Sequence, residues 1–546
     1  MIALGLFAAA LLVRVAVGGA FPGPAYPDSY YYYSVAQSLA SGHGLTIDYI
    51  WNFVDVGGQV PINPTLPIPA NGHWLPLAVL VQVPFIWVLG AGSLAAQLPM
   101  WLLGSLAAPI TYFIAREAGL EPRLAVATGL MAAIPGGLTP FFGQPDNFGL
   151  FMTLGALALW LCARGIRGDR RSFVLGGAVV GLAALARNDG ILLGVPFALV
   201  FARELVRGRG NARVIGWAGA IACIGLFALF YGPWLYRQLD VFGSIAPSAA
   251  NGRILWISDY GQLFSVAAPA TPSTLLADGF VPFLASRVSG LLSALGQFAL
   301  LPLVVVLTPF ALIGAWNHRR DPWFVPALVY ATVLFAASGL VFAVHVPYGT
   351  FIHSAVALLP HTFVLVVIGV SVAVRSIAAR RPSWDVARAT QRFAFGAVAV
   401  AVVGAVGQSM ITIGQWSAAR DVESRLAASL AAAPTTDRVM SGDSGAYNYL
   451  AGHSGVISPN DDLAIIESTM RAYDVRWLVL EEGSIVPALV PVLHGTVHPT
   501  WLSAPVAVIT FAASDPVATT NQTIATEPVG AVYAVCFAAS DTRCQP

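Results

Sequence analysis

The chain contains no lysine; all 28 of its basic residues are arginine. That absence excludes Schiff-base lysine chemistry and a phosphate loop built around lysine. Charge of either sign is scarce. Charged residues make up 10% of the 546, against about a quarter in an average soluble domain. So few charges could not cover the surface of a water-soluble enzyme of this length. The net charge of +1 offers no electrostatic footprint for nucleic acid. Four cysteines without CxxC spacing exclude a zinc ribbon and a disulfide-rich scaffold. Neither an internal repeat nor a low-complexity linker is present. What the chain has in abundance is apolar character, with 57% hydrophobic residues and a mean hydropathy of +0.72. Disorder is thereby excluded, and a polytopic α-helical membrane protein is indicated.

A spanning helix needs about 20 predominantly apolar residues. About eleven such stretches can be read, at roughly 1–20, 93–115, 124–143, 147–163, 172–187, 190–203, 214–236, 290–316, 323–343, 354–374 and 393–413. The apolar run 74–90 is ambiguous, and arginine placement decides its treatment. Five arginine clusters, at 116–123, 164–171, 203–213, 319–320 and 375–392, share one side only if 74–90 does not cross. It is therefore expected to lie as a juxtamembrane helix against the outer face, where Pro76 and Pro84 suit a broken element. This arrangement puts the N-terminus in the cytoplasm. A transmembrane domain covers 1–413, with outer loops that include 21–92 and 237–289. From 414 onward polar residues return. Strand-like runs at Arg438–Met440, Arg476–Leu480, Val506–Phe511 and Ala531–Phe537 alternate with helical patterns, notably Asp461–Tyr473. A small extracytoplasmic α/β domain is expected over 414–546. Cys536 and Cys544 both fall in it, where a disulfide is open to them.

The candidate site residues are the polar groups expected on the outer face. Asp28 stands in Tyr26-Pro27-Asp28-Ser29-Tyr30, at the start of a short helix ended by Gly42. Its alternative role is a helix cap, and that of the tyrosines an interfacial belt. Asp146 lies in Gln144-Pro145-Asp146-Asn147 between the third and fourth spans, and could equally cap the fourth. Arg187 and Asp189 share the turn between two short spans. Ionisable groups at such depth are functional candidates, or else an internal salt bridge that closes the hairpin. The turn 344–353 supplies His345, Tyr348 and His353, able to bind phosphate and, on weaker grounds, metal. The loop 237–289 adds Arg253, Trp256, Asp259 and Tyr260, a mix usual in sugar binding and also at membrane interfaces. Carboxylates could deprotonate an acceptor hydroxyl, and arginines could hold a phosphate by paired hydrogen bonds. That combination suits transfer from a phosphate-activated lipid at a membrane surface.

The pattern resembles the GT-C superfamily of polyprenyl-phosphate-dependent glycosyltransferases. It looks closest to the bacterial branch with lipid A aminoarabinose transferases and protein O-mannosyltransferases. Four features carry the resemblance. An acid opens the first outer loop before a short helix ending in Gly, from Asp28 to Gly44. A juxtamembrane apolar segment follows at His73-Trp74-Leu75-Pro76-Leu77. A second acid sits in Gln144-Pro145-Asp146. A tight basic turn joins the fifth and sixth spans at Leu185-Ala186-Arg187-Asn188-Asp189-Gly190. Their order and sidedness, over roughly 1–410, are what is specific.

The resemblance implies a GT-C-like membrane glycosyltransferase, hexosyl or pentosyl, in a bacterial inner membrane. It would move a sugar from a polyprenyl-phosphate donor to a hydroxyl on a lipid, glycan or protein acceptor at the outer face, with inversion. Asp28 would be the general base or a metal ligand. Asp146 would orient the acceptor, share the base role or join in metal binding. No cofactor is certain, and a divalent metal is open. Arg187, with His353, would stabilise the leaving lipid phosphate. Tyr30, Asp189, Arg253, Asp259 and Tyr348 would contribute to substrate binding. Two departures stand out. Asp28 is followed by Ser29 where related enzymes often have a second acid, and arginine must replace the lysine many use near the lipid phosphate. The alternatives are a lipid or solute transporter and a non-catalytic glycan-binding member of the same fold.

Overall fold

The computed structural model describes residues 1–207, 214–250, 252–381, 383–510, 527–537 and 543. Arg209 and Arg213 of the third arginine cluster, Phe511 and Cys544 lie outside the described residues. The chain forms two compact units. The first comprises Met1–Pro24, Trp74–Ile245 and Gly279–Ile413. The second comprises Ala25–His73, Ala246–Asp278 and Gly414–Pro546.

The first unit is helical. Among the described residues, seven helices are long and apolar enough to cross a membrane. They are Ile2–Ala20, Ser93–Glu117, Phe148–Ile166, Gly216–Phe242, Phe280–Leu300, Thr350–Ala378 and Val386–Ser429, the last of which continues into the second unit. A bent pair, Pro122–Ala133 with Gly136–Gly143, makes an eighth if it counts as one crossing. The multi-pass character read from the sequence stands, while the crossings counted by length are fewer than eleven. The stretches at 172–187, 190–203 and 323–343 form helices of 17, 14 and 16 residues, below the length of an untilted span. The stretch 290–316 forms two helices, Phe280–Leu300 and Thr308–Asn317. Between them Val304 and Val305 both take positive φ, a conformation that interrupts a helix and that β-branched residues rarely adopt. Leu77–Leu89, with 13 residues and Pro84 inside, reaches roughly 20 Å at 1.5 Å per residue. That falls short of the hydrocarbon thickness of about 30 Å.

The 56° bend of the broken pair has a local cause. Pro135 lacks an N–H, and Gly136 takes a φ of 55°. A Cβ on Gly136 would lie 2.6 Å from the carbonyl oxygens of Leu301 and Pro302, so only glycine fits. Arg14, buried in the first helix, stabilises the break. Its guanidinium donates to the carbonyls of Ala10 at 3.0 Å, Gly104 at 3.0 Å and Ala133 at 3.4 Å. It also stands 5.2 Å from the Phe142 ring centroid. An arginine inside a membrane helix is costly, and these carbonyls offset that cost while receiving donors the broken helices lack.

The second unit is built on a six-stranded sheet. Its strands are β1 (Tyr49–Ile50), β2 (Arg438–Ser441), β3 (Gly455–Ile457), β4 (Val475–Glu481), β5 (Leu502–Thr510) and β6 (Pro528–Val535), in the order β1-β3-β2-β4-β6-β5. The first four are parallel, and β6 runs antiparallel to both β4 and β5. Helices Ser444–Ala451 and Leu463–Ala472 join β2 to β3 and β3 to β4. The C-terminal strands and the 463–472 helix match the alternation read from the sequence. Asp462 is the N-cap of that helix, its side chain accepting from the N–H of Ile465. Strand β1 comes from the first outer loop, with Tyr49 paired to Gly455 and Ile50 to Val456. The core gathers Leu426 and Leu430 from the long helix with Val439, Tyr447, Val479 and Val532. Cys536 is disulfide-bonded, and Cys162 and Cys223 are free and buried.

Candidate functional site

In the first unit, three turns at helix ends converge. The 3-10 segment Gly136–Gly143 leads into Gln144-Pro145-Asp146, and Asn147 is the N-cap of Phe148–Ile166. Two buried donors fix this turn from behind, since Gln97 Nε2 and Trp101 Nε1 both donate to the Gly143 carbonyl, at 2.7 and 2.9 Å. Asp146 is 1% exposed, and its carboxylate accepts the Asn147 N–H. The Asn147 amide donates to the carbonyl of Ala186 at 3.2 Å, which ties the turn to the 186–190 segment. There Arg187 Nε donates to Asp189 Oδ1 at 3.0 Å, with the two side chains 14% and 24% exposed. The internal salt bridge is thus formed. The third turn closes on the same pair. Ser354 donates to Asp189 Oδ2, and Arg187 Nη2 donates to the Thr350 carbonyl at 3.4 Å. His353 places its ring 3.9 Å from that of Phe148, centroid to centroid. A ligand atom of Asp146 and one of His353 lie within 4.8 Å of each other.

Asp146, Arg187, Asp189 and His353 therefore meet in one unit, although 207 residues separate the first from the last in sequence. Of the same turn series, Tyr348 is exposed at the end of the 3-10 turn Ala343–Tyr348, and His345 is buried beside Phe342. Asp146 and His353 supply the oxygen and nitrogen donors that divalent ions take in protein sites. A catalytic metal would need at least one ligand more.

One further buried residue of the first unit is not singled out by the sequence. Arg287, on Phe280–Leu300, is 6% exposed. Its Nη1 donates to the Val341 carbonyl at 3.3 Å, and the guanidinium lies 4.6 Å from the Phe283 ring centroid. Among the described residues, its Nε and Nη2 are buried without a hydrogen-bond partner. The signal available in the sequence is a single arginine inside an otherwise uncharged 21-residue helix, hidden because the expected span begins at 290.

The remaining candidates belong to the second unit. Asp28 lies in the first turn of helix Pro27–Ala40. The start of that helix is capped by Ser29, whose Oγ accepts the N–H groups of Ala25 at 2.8 Å and Tyr26 at 3.0 Å. Tyr30 is buried, with its hydroxyl between Glu423 and Arg420. Arg253 donates to the carbonyls of Gly58 at 2.9 Å and Gln262 at 3.2 Å. Burial lowers its pKa and the charge of Asp461 opposes that shift, so this residue pins two loop segments together. Asp259 caps the 3-10 turn Tyr260–Phe264 through the Gly261 N–H at 2.8 Å. Asp461 accepts from the Ser265 hydroxyl and from the Val266 N–H at 2.7 Å.

These observations can be set beside known proteins. Residues 75–232 match the family model described as dolichyl-phosphate-mannose-protein mannosyltransferase. No curated protein matches the chain in sequence. Among solved structures, the chain is similar to ArnT from Cupriavidus metallidurans bound to undecaprenyl phosphate. The identity is 15%, the TM-score 0.55, and 100% of this chain and 99% of that one are covered. It is also similar to the archaeal oligosaccharyltransferase AglB from Archaeoglobus fulgidus in complex with an inhibitory peptide and a dolichol-phosphate. There the identity is 15% and the TM-score 0.55, over 88% of this chain and 69% of that one. The fold is that of the GT-C superfamily of polyprenyl-phosphate-dependent glycosyltransferases. The chain is a multi-pass membrane protein of that fold.

Proposed function

We propose that the protein is a membrane glycosyltransferase that moves a sugar from a polyprenyl-phosphate donor to an acceptor hydroxyl. The reaction takes place at the outer face of a bacterial inner membrane, with the N-terminus cytoplasmic and the C-terminal domain outside. The observation that carries this reading is the buried Asp146, grouped with His353 and the Arg187–Asp189 pair at helix ends of a GT-C fold. Ionisable groups are expensive inside a membrane protein and concentrate where chemistry is done. The donor class is supported by the lipids bound to the two similar structures, undecaprenyl phosphate in ArnT and a dolichol-phosphate in AglB.

In the proposed reaction Asp28 accepts the proton of the acceptor hydroxyl. The resulting oxygen attacks the anomeric carbon, the bond from that carbon to the phosphate oxygen breaks, and the configuration inverts. Asp146 orients the acceptor or shares the base role. Charge develops on the departing lipid phosphate, where guanidinium groups stabilise it. Arg187 is assigned to that role. Arg287 joins it on stronger grounds, because two of its buried nitrogens await an acceptor. Tyr348 and His353 are assigned to substrate contacts. A divalent ion held by Asp146 and His353 would supply electrophilic stabilisation of the same phosphate.

The test is turnover by purified full-length protein of a panel of radiolabelled polyprenyl-phosphate sugars, with and without divalent metal. One donor is expected to be consumed, and the hexosyl or pentosyl class is read from which one it is. Binding of the lipid with no donor consumed in the presence of membrane acceptors would reject the enzyme reading. Vectorial lipid movement in proteoliposomes without sugar transfer would favour a transporter.

A further inference from the structure

The helix that carries Asp28 rests on a buried ionisable cluster within the second unit. Two residues beyond Asp28, Tyr30 donates its hydroxyl to Glu423 at 3.1 Å and accepts from Arg420 Nη2 at 2.8 Å. Arg420 Nε lies 3.4 Å from the same Glu423 carboxylate. The guanidinium also covers the rings of Tyr30 and Tyr449, 5.6 and 5.4 Å from their centroids. Tyr449 packs against Tyr30 and Tyr33 at 5.6 and 5.5 Å. Behind this layer stand two more acids. Asp443 is the N-cap of Ser444–Ala451, and Glu481, at the end of β4, accepts the Tyr447 hydroxyl.

The facing groups come from five elements. Tyr30 and Tyr33 lie on the first-loop helix, Arg420 and Glu423 on the long helix, and Asp443, Tyr447 and Tyr449 on or at the cap of 444–451. Glu481 ends β4, and Tyr49 on β1 senses Asp443, Asp28 and, beyond these five elements, Asp55, which burial raises to about 7 and whose charge also reaches Tyr31 on the first-loop helix. Three carboxyls thus face one another, and a single guanidinium reaches two of them, Glu423 and Asp443. If all were ionised, two buried negative charges would lack a partner, and uncompensated buried charge is strongly destabilising. Burial first, and the neighbouring Glu423 carboxyl second, raise Asp443 to about 7. Burial pushes Glu481 up to about 8 against the opposing Tyr447 hydrogen bond.

We propose that Arg420, Glu423 and Tyr30 are positioning residues for the reaction assigned to Asp28, and that the cluster clamps the Asp28 helix while Asp443 and Glu481 are protonated and slackens as they ionise. The catalytic part of this proposal rests on the reading of Asp28 as the base; the clamp itself rests on the geometry of the second unit. The sign follows from linkage. An acid whose pKa is raised in the closed state holds its proton there at pH values where the open state has lost it. The closed state is therefore favoured at low pH and loses stability as pH rises through the raised pKa values, and no further change comes above them.

Hydrogen exchange of the full-length protein in detergent, read as protection factors for the amides of 31–40, tests this directly. In the wild type, protection is expected to fall by about tenfold or more between about pH 5 and about pH 8 and then level off. Glu481→Gln and Asp443→Asn should each flatten the profile. Arg420→Met should lower protection at every pH, and Arg420→Lys should restore part of it. The amides of β4 and β6 should keep their protection throughout, which marks the change as local. A wild-type profile that is flat over this range overturns the clamp, as does a pH response unchanged in both acid variants. If Arg420→Met unfolds β4 and β6, the wild-type series and Glu481→Gln decide. An active Asp28→Asn with the pH response intact overturns the base and leaves the clamp standing. A flat response with an inactive Asp28→Asn does the reverse.

Discussion

The carboxylate of Asp189 bonds Arg187 Nε at 3.0 Å and takes the Ser354 hydroxyl on its other oxygen. One acid thus joins the turn after the 170–186 helix to the start of the Thr350–Ala378 helix, which carries both His353 and Ser354. Removing Arg187 leaves Asp189 with a largely buried charge and only a neutral donor. Arg187→Ala and Asp189→Ala should therefore each destabilise the first unit, and the double variant should cost less than the sum of the two. A coupling of about 1–3 kcal/mol is expected. Thermal unfolding of the four proteins in detergent measures it. Additive effects would mean that the pair does not hold the two turns together.

Asp28→Asn should reduce transfer by about a hundred- to ten-thousandfold, the contribution of a general base. The fold gives this variant a clean interpretation. Ser29 makes the capping hydrogen bonds of the helix, so the amide should leave the helix and the melting temperature unchanged. Wild-type turnover in Asp28→Asn would end the assignment.

Arg287→Gln should weaken binding of the polyprenyl phosphate by roughly ten- to a hundredfold, the equivalent of one or two charge-assisted hydrogen bonds. Arg287→Lys keeps the charge but not the planar fork of donors, and should recover part of the affinity. The lipid phosphate without its sugar is the probe, so the result does not depend on catalysis. Equal affinity in wild type and Arg287→Gln would remove the residue from the phosphate site.

The readable parts of this protein are those whose signal is local. Asp146, Arg187, Asp189 and His353 announce themselves because each is polar at a turn between apolar runs, where little else is. Strands β4 and β6 are legible from short runs rich in valine and aromatic residues, Val-Arg-Trp-Leu-Val-Leu and Ala-Val-Tyr-Ala-Val. What could not be read depends on pairing over distance. Strand β1 is two residues long and becomes a strand only because Gly455 and Val456 accept it as an edge. Arg253 and Asp259 have the composition of a sugar site, yet their hydrogen bonds go to nearby backbone, a choice that composition does not reveal. The break at Val304 and Val305 is also invisible in a hydropathy profile, since both residues are fully apolar. It merged two helices into one expected span and hid Arg287.

Arg14 offers a test of how the Asp146 turn is held. Its guanidinium supplies donors to Gly104, beside the interruption at Leu106 within Ser93–Glu117, and to Ala133, at the break before Gly136, and it lies against Phe142 four residues before Asp146. Arg14→Met has similar length and no donor. It should destabilise the first unit by about 2–4 kcal/mol, one buried unsatisfied carbonyl at each break. Exchange should rise across 136–147, while β4 and β6 in the second unit keep their protection. Arg14→Lys should give an intermediate result, since an ammonium presents its donors from a point and not from a fork. Unaltered exchange at 136–147 in a destabilised Arg14→Met would show that the Pro135–Gly136 bend and the Gln97 and Trp101 donors suffice to set the turn without it.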